Sequence, residues 1–99
     1  MDFGVQYRGH QSDMTRVAII GKTTNDQQQM FDLVLKAHEL AVESCKSGIK
    51  ASEVDAKVRR FFEANQVGEF FTHSLGHGIG LEVHEAPFLR KNSEDVLLP

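Results

Sequence analysis

His73-Ser74-Leu75-Gly76-His77-Gly78-Ile79-Gly80-Leu81-Glu82-Val83-His84-Glu85 is the stretch on which the reading of this chain turns. Three imidazoles, His73, His77 and His84, fall within twelve residues, with Gly76, Gly78 and Gly80 alternating between them. Glycine permits close turns that other residues resist, so a loop here can aim two or three of those rings into one cavity. Imidazole is a common transition-metal ligand and the usual acid–base group near neutral pH. The spacing of His73 and His77 also suits one face of a helix, but the intervening Ser74-Leu75-Gly76 argues for a loop. Leu81-Glu82-Val83-His84 alternates apolar and polar residues and reads as a strand fed by that loop. From the residues alone the segment is either a metal or catalytic site, or a turn whose imidazoles bond to backbone.

Upstream, Asp2 to Gly21 is rich in β-formers and reads as a β-hairpin. Phe3, Val5 and Tyr7 share a face, Tyr7-Arg8-Gly9-His10 makes the turn, and Thr15 to Ile20 returns. Asp2 and Asp13 then lie on opposite arms and approach each other, which is repulsive unless a cation or a proton sits between them. Two carboxylates with a histidine form an oxygen and nitrogen site suited to Mn, Co, Zn or Fe. Taken singly, Asp13 beside Ser12 reads as a turn cap, and Asp2 carries no signal of its own.

Two helices separate the hairpin from the histidine segment. Thr24 is an N-cap with Gln27 as its reciprocal partner, starting a helix that runs to about Cys45, where Ser47-Gly48 stops it. Its expected buried stripe is Met30, Val34, Ala37, Ala41 and Cys45, widened by Phe31, Leu35 and Leu40. A second start at Ser52, with Asp55 three residues on, opens a shorter helix whose apolar face is Val54, Val58, Phe61 and Phe62, ending near Gln66 to Gly68. Phe70-Phe71-Thr72 then reads as extended. Each helix has one apolar stripe and needs a sheet or the other helix to cover it. His38 reads as a surface or boundary histidine, and Cys45 as a small core residue.

Composition narrows the function. The chain has 99 residues, 40% hydrophobic and 25% charged, enough for one modest core and not two domains. Eleven Lys+Arg against fourteen Asp+Glu give a net charge of −3, so there is no broad cationic surface for nucleic acid. No apolar run approaches the ~20 residues of a membrane-spanning helix. Met1-Asp2-Phe3-Gly4 lacks a signal-peptide pattern. Cys45, the single cysteine, fits a reducing compartment, and the cytoplasm is the expected location.

Two blocks together carry a resemblance. Asp2-Phe3-Gly4 followed by Tyr7, Gly9, Ser12-Asp13 and Thr15-Arg16, and then the segment His73 to Glu85, resemble the pita-bread metallopeptidases. The eleven-residue step from Asp2 to Asp13 agrees with that family. Gly76-His77-Gly78-Ile79-Gly80 and His84-Glu85 are shared with methionine aminopeptidases, whereas His73 and the interval Leu81-Glu82-Val83 look like the Xaa-Pro branch, aminopeptidase P and prolidase.

The resemblance implies an α+β partial pita-bread fold, with a β-hairpin, two helices and a further strand, the helices packed on a curved antiparallel sheet. It implies a single partial catalytic domain over residues 1–99. It also implies two divalent metal ions, Mn or Co first and Zn or Fe next, with Asp2 on one ion, Asp13 bridging and His77 on the other. A metal-activated hydroxide would attack the peptide bond preceding proline, His84 would bond the substrate carbonyl or tetrahedral intermediate, and His73 would position the substrate. The implied partner is a peptide with proline in second position. His10 and Val17 stand where the family usually has tyrosine and threonine, so no role passes to them.

The family site uses two further glutamates beyond the histidine block. Glu82, Glu85, Glu94 and Asp95 do not fall in those motifs, and the family's first strands precede Asp2. The stretch is therefore expected to be inactive alone, to hold two ions weakly, and to form a homo-oligomer that covers its open edges. The alternatives are a methionine aminopeptidase and a non-catalytic pita-bread module that binds peptide or protein surfaces.

Overall fold

Thr24 starts the longest element as a reciprocal cap. In the computed structural model, which describes residues 1–99, its hydroxyl accepts the Gln27 N–H at 3.2 Å while the Gln27 side chain accepts the Thr24 N–H at 3.0 Å. That box opens α1, Asn25–Ser44, and Cys45 closes it. The second helix, α2, is Ala51–Ala64. It begins just before the expected Ser52 and has no side-chain cap: Lys50 is the N-cap residue and Asp55 takes no part in capping.

Four two-residue strands form the hairpin: β1 Asp2–Phe3, β2 Gln6–Tyr7, β3 His10–Gln11 and β4 Met14–Thr15. Arg8 and Gly9 both take positive φ, 51° and 85°, as a two-residue turn matched to strand twist requires. Asp2 pairs with Thr15 and Tyr7 with His10, but the return arm ends at Thr15 and does not reach Ile20. A break at Gly4-Val5 is bridged by Ser12, whose N–H donates to Val5 O at 2.9 Å and whose Oγ accepts the Val5 N–H at 3.0 Å.

Beyond α2, Gln66 turns left-handed at φ 60° and Gly68–Phe70 winds into a single 3-10 turn. The stretch expected to be extended from Phe70 is thus partly helical, because Phe70 and Phe71 donate back to Val67 and Gly68. The strands that follow are β5, Gly76–Gly78, and β6, Glu85–Leu89, paired antiparallel. The strand therefore lies after Leu81–His84, not on it. Gly80 N–H donates to Glu82 O at 3.1 Å, closing that stretch into a turn before it can extend. The architecture is α+β as expected, its antiparallel pairing divided among three two-stranded ladders.

The core lies between the helices and β6, with Ala37, Ala41, Val54, Val58 and Phe62 at its centre. The expected α1 stripe is buried only in part. Ala37 and Ala41 face α2, whereas Met30, Val34, Phe31 and Leu35 are exposed. Met30 and Val34 instead border an open apolar groove with Phe62, Phe70 and Phe71, and no other element of these residues lies over it. Cys45 is exposed too, not core, and partial burial of its thiol pushes its pKa up.

The buried polar centre is Asp55, fully inaccessible on α2. Arg59, one turn later, grips it through Nε at 2.6 Å and Nη2 at 3.1 Å. The same guanidinium donates to Phe71 O at 3.0 Å and His73 O at 2.7 Å, while Asp55 Oδ1 accepts the Leu75 N–H at 3.2 Å. Every bond of this fork uses the planar geometry of guanidinium, which an ammonium does not reproduce. Removing the partner of a buried charge costs about 3–5 kcal/mol. Arg59→Lys and Arg59→Met are therefore both expected to lower the urea-unfolding midpoint, the methionine variant by the equivalent of about 3–5 kcal/mol; an unchanged midpoint for either would contradict the role of the fork.

Candidate metal centre

The Asp55–Arg59 fork delivers the chain to the site. With Phe71 O, Leu75 N–H and His73 O all held from α2, and Leu75 N–H also donating to Leu89 O at 2.9 Å, the segment enters β5 in a defined register. Because one N–H serves both acceptors, the Leu75 bond is shared between strand and buried carboxylate. Two residues later His77 sits opposite Phe88, partly buried.

The hairpin is tied to the same strand end. Gln11 N–H donates to Gly80 O at 2.7 Å, and this backbone bond sets the arm that carries Asp13 beside β5. Asp13 Oδ2 lies 3.5 Å from His77 Nε2, and the His77 and His84 rings meet edge to face with centroids 4.2 Å apart. A carboxylate oxygen of Asp13 and one nitrogen each of His77 and His84 lie within 4.8 Å of one another.

The donor chemistry fits a divalent cation of the borderline class, since two imidazoles and a carboxylate are ligands such ions share. The orientation of His77 supports the same conclusion. Its Nδ1 lies 2.9 Å from Gly78 O, and a carbonyl oxygen only accepts, so the network assigns the proton to Nδ1. In the neutral ring Nε2 then presents its lone pair toward Asp13, the tautomer a metal needs, held by a backbone carbonyl as metal-binding histidines usually are.

The remaining expected residues sit differently. Asp2 is outside this three-residue group; its Oδ1 accepts the Thr15 hydroxyl at 3.1 Å across the β1–β4 ladder. His73 is also outside it. Its Nδ1 bonds Ser74 O at 2.7 Å, and its ring stands edge-on to Phe71 at 4.8 Å, facing the apolar groove beside α1. His84, expected to contact substrate, lies within this group, its ring beside that of His77. His38 is exposed, in keeping with a surface histidine.

Sequence reasoning did not identify the residues that position the site: Arg59, Asp55, Gln11 and Thr15. For Asp55 a signal was present, because an acid flanked by Val54 and Val58 on the buried face of a helix, with arginine four residues on, is poised for a buried pair. The Gln11 bond uses only backbone and left no trace in residue type.

The family model for metallopeptidase family M24 matches residues 1–99. An Xaa-Pro dipeptidase of Pyrococcus horikoshii is 43% identical over 97 residues, covering 98% of this chain and 28% of that protein. Prolidase from Pyrococcus furiosus superposes with a TM-score of 0.93 at 40% identity, over 97% of this chain and 28% of that one. An X-Pro aminopeptidase from Thermotoga maritima gives 0.92 at 40% identity, over 98% and 28%. The chain thus spans little more than a quarter of the length of these relatives.

Substitutions separate holding a cation from orienting the residues that hold it. His77→Ala is expected to weaken Co²⁺ binding, followed by calorimetric titration, more than Thr15→Val. The latter removes only the hydroxyl bonded to Asp2, a class of change that typically costs about 10–100-fold. Equal affinities for parent and His77→Ala would remove His77 from the site.

Proposed function

The chain belongs to metallopeptidase family M24, and from that premise we propose that it is the part of an Xaa-Pro peptidase carrying Asp2, Asp13, His73, His77 and His84, whose substrate is a peptide with proline in second position. The observation that carries this reading is the convergence of Asp13, His77 and His84, with His77 Nε2 3.5 Å from an Asp13 carboxylate oxygen. The names of the similar proteins, Xaa-Pro dipeptidase and prolidase, support the substrate class.

In this reading Asp13 and His77 would hold divalent ions, Mn or Co by preference, and Asp2 would serve as a further ligand. Such ions supply Lewis acidity toward a peptide carbonyl and lower the pKa of water. The protein's own residues do the rest. His84 is exposed beside His77, within reach of a substrate carbonyl oxygen, where an N–H donor stabilises charge that develops during hydrolysis. His73 stands at the mouth of the apolar groove bordered by Met30, Val34 and Phe71, so its contribution is to position substrate. Thr15 and Gly78 orient Asp2 and His77 through single hydrogen bonds.

The same proposal includes the protein's setting. The lone cysteine supports a reducing compartment such as the cytoplasm. The exposed apolar side chains of Met30, Phe31, Val34 and Leu35 support burial of α1 against further protein, in a homo-oligomer or elsewhere in the same enzyme. Asp13 is the one carboxylate in the close group with His77 and His84, so this stretch expressed by itself is proposed to be inactive.

The test is hydrolysis by the full-length protein after chelation and after return of Mn²⁺ or Co²⁺. An Xaa-Pro dipeptide is expected to be cleaved only with metal returned and much faster than a Met-Ala peptide. Equal rates on the two peptides would overturn the substrate class, and full activity in chelator would overturn the metal chemistry. The isolated stretch is expected to cleave neither.

A further inference from the structure

Glu85 has no part in the roles above, yet its side chain closes the turn between β5 and β6. Its Oε2 accepts the Glu82 N–H at 3.0 Å, and Gly80 N–H donates to Glu82 O at 3.1 Å, so Gly80 to Glu85 fold back around the carboxylate. Gly80 passes so near that a Cβ there would lie 2.5 Å from Glu85 Oε1. At Gly78 a Cβ would meet the backbone carbonyl of Glu85 at 2.9 Å, and that of Ala86 as well. The backbone of Glu85 and Ala86 thus leaves no room for a side chain at Gly78, and at Gly80 the Glu85 carboxylate itself fills the space a Cβ would take.

His84 directly precedes Glu85 in this turn, and its ring ends 4.2 Å from that of His77. Left unbraced, a turn of this length would distribute His84 over many positions, because each free residue retains about 1–2 kcal/mol of backbone entropy at 25 °C. A bond from a backbone N–H to an ionised carboxylate is among the stronger restraints available.

We infer that Glu85 is a positioning residue: its carboxylate, seated against Gly80 and bonded to Glu82 N–H, holds the turn that aims His84 at Asp13 and His77. Glu85 supplies neither a ligand nor an acid–base group. It lies outside the set of close donors, and its oxygens face the turn. The inference rests on the proposed peptidase reading only for its activity measurement.

The experiment uses the full-length protein and the variants Glu85→Ala, Glu85→Gln, His84→Ala and the double variant His84→Ala/Glu85→Ala. Glu85→Ala is expected to lower kcat on an Xaa-Pro dipeptide by on the order of 10²-fold with KM little changed, the scale of a misplaced catalytic group. Glu85→Gln keeps an acceptor oxygen and is expected to recover most of that loss. In the double variant the losses should not multiply, because both act through His84. Independent of activity, NMR of Glu85→Ala is expected to show the Glu82 amide proton and the His84 ring protons shifted, with both returning toward parent positions in Glu85→Gln. Multiplying losses, or unmoved Glu82 and His84 resonances, overturn the inference. If Glu85→Ala does not fold, Glu85→Asp, one methylene shorter, is expected to shift the same resonances and serves in its place. A parent protein that cleaves no Xaa-Pro dipeptide would defeat the peptidase reading, while the resonances would still decide the role of Glu85.

Discussion

The buried pair of Asp55 and Arg59 is the constraint from which the site is built. A fully buried carboxylate is costly unless paired and bonded, and here both oxygens and the guanidinium fork are engaged. What the pair adds is direction. Because Arg59 also holds Phe71 O and His73 O, and Asp55 holds Leu75 N–H, a segment with little regular structure is tied to a rigid helix at three points. The strand that follows inherits that register, and with it the position of His77. Stacking of the guanidinium on the Phe71 ring, 4.6 Å from its centroid, links the same pair to the apolar core.

The second support is smaller. The hairpin shares no helix with the rest of the fold, and Gln11 N–H to Gly80 O is the bond that brings Asp13 to the end of β5. Donors from opposite ends of the sequence therefore meet through one backbone bond and one buried ion pair. Histidine tautomers are set as locally: a carbonyl from the adjacent residue fixes Nδ1–H in His77, leaving the other nitrogen for chemistry.

The distribution of apolar surface fits a piece of a larger architecture. Few residues are buried, nine of 99, while Met30 and Val34 of α1 border an open groove. The similar proteins are several times longer, and they superpose closely on nearly all of this chain. Packing between α1 and α2 through Ala37 and Ala41 satisfies one helix face only; the second face, Met30 to Val42, has the character of surface made to be covered.

The sequence by itself determined the elements whose signals are local. Thr24 and Gln27 declared α1, Arg8-Gly9 declared the hairpin turn, and the paired motifs around Asp13 and His77 declared the family, because caps, left-handed turns and motif spacing depend on near neighbours. It misplaced the last strand, since the alternation of Leu81 to His84 cannot show that Gly80 and Glu85 close those residues into a turn. It overestimated the burial of α1, because periodicity marks an apolar face without saying whether anything covers it. Only the tertiary structure decided that Asp55 is a buried ion-pair partner, that His84 stands with Asp13 and His77, and that His73 and Asp2 stand apart from them. The physical reason is that these outcomes depend on contacts between residues far apart in the chain, made by backbone groups and side-chain directions that residue type does not encode.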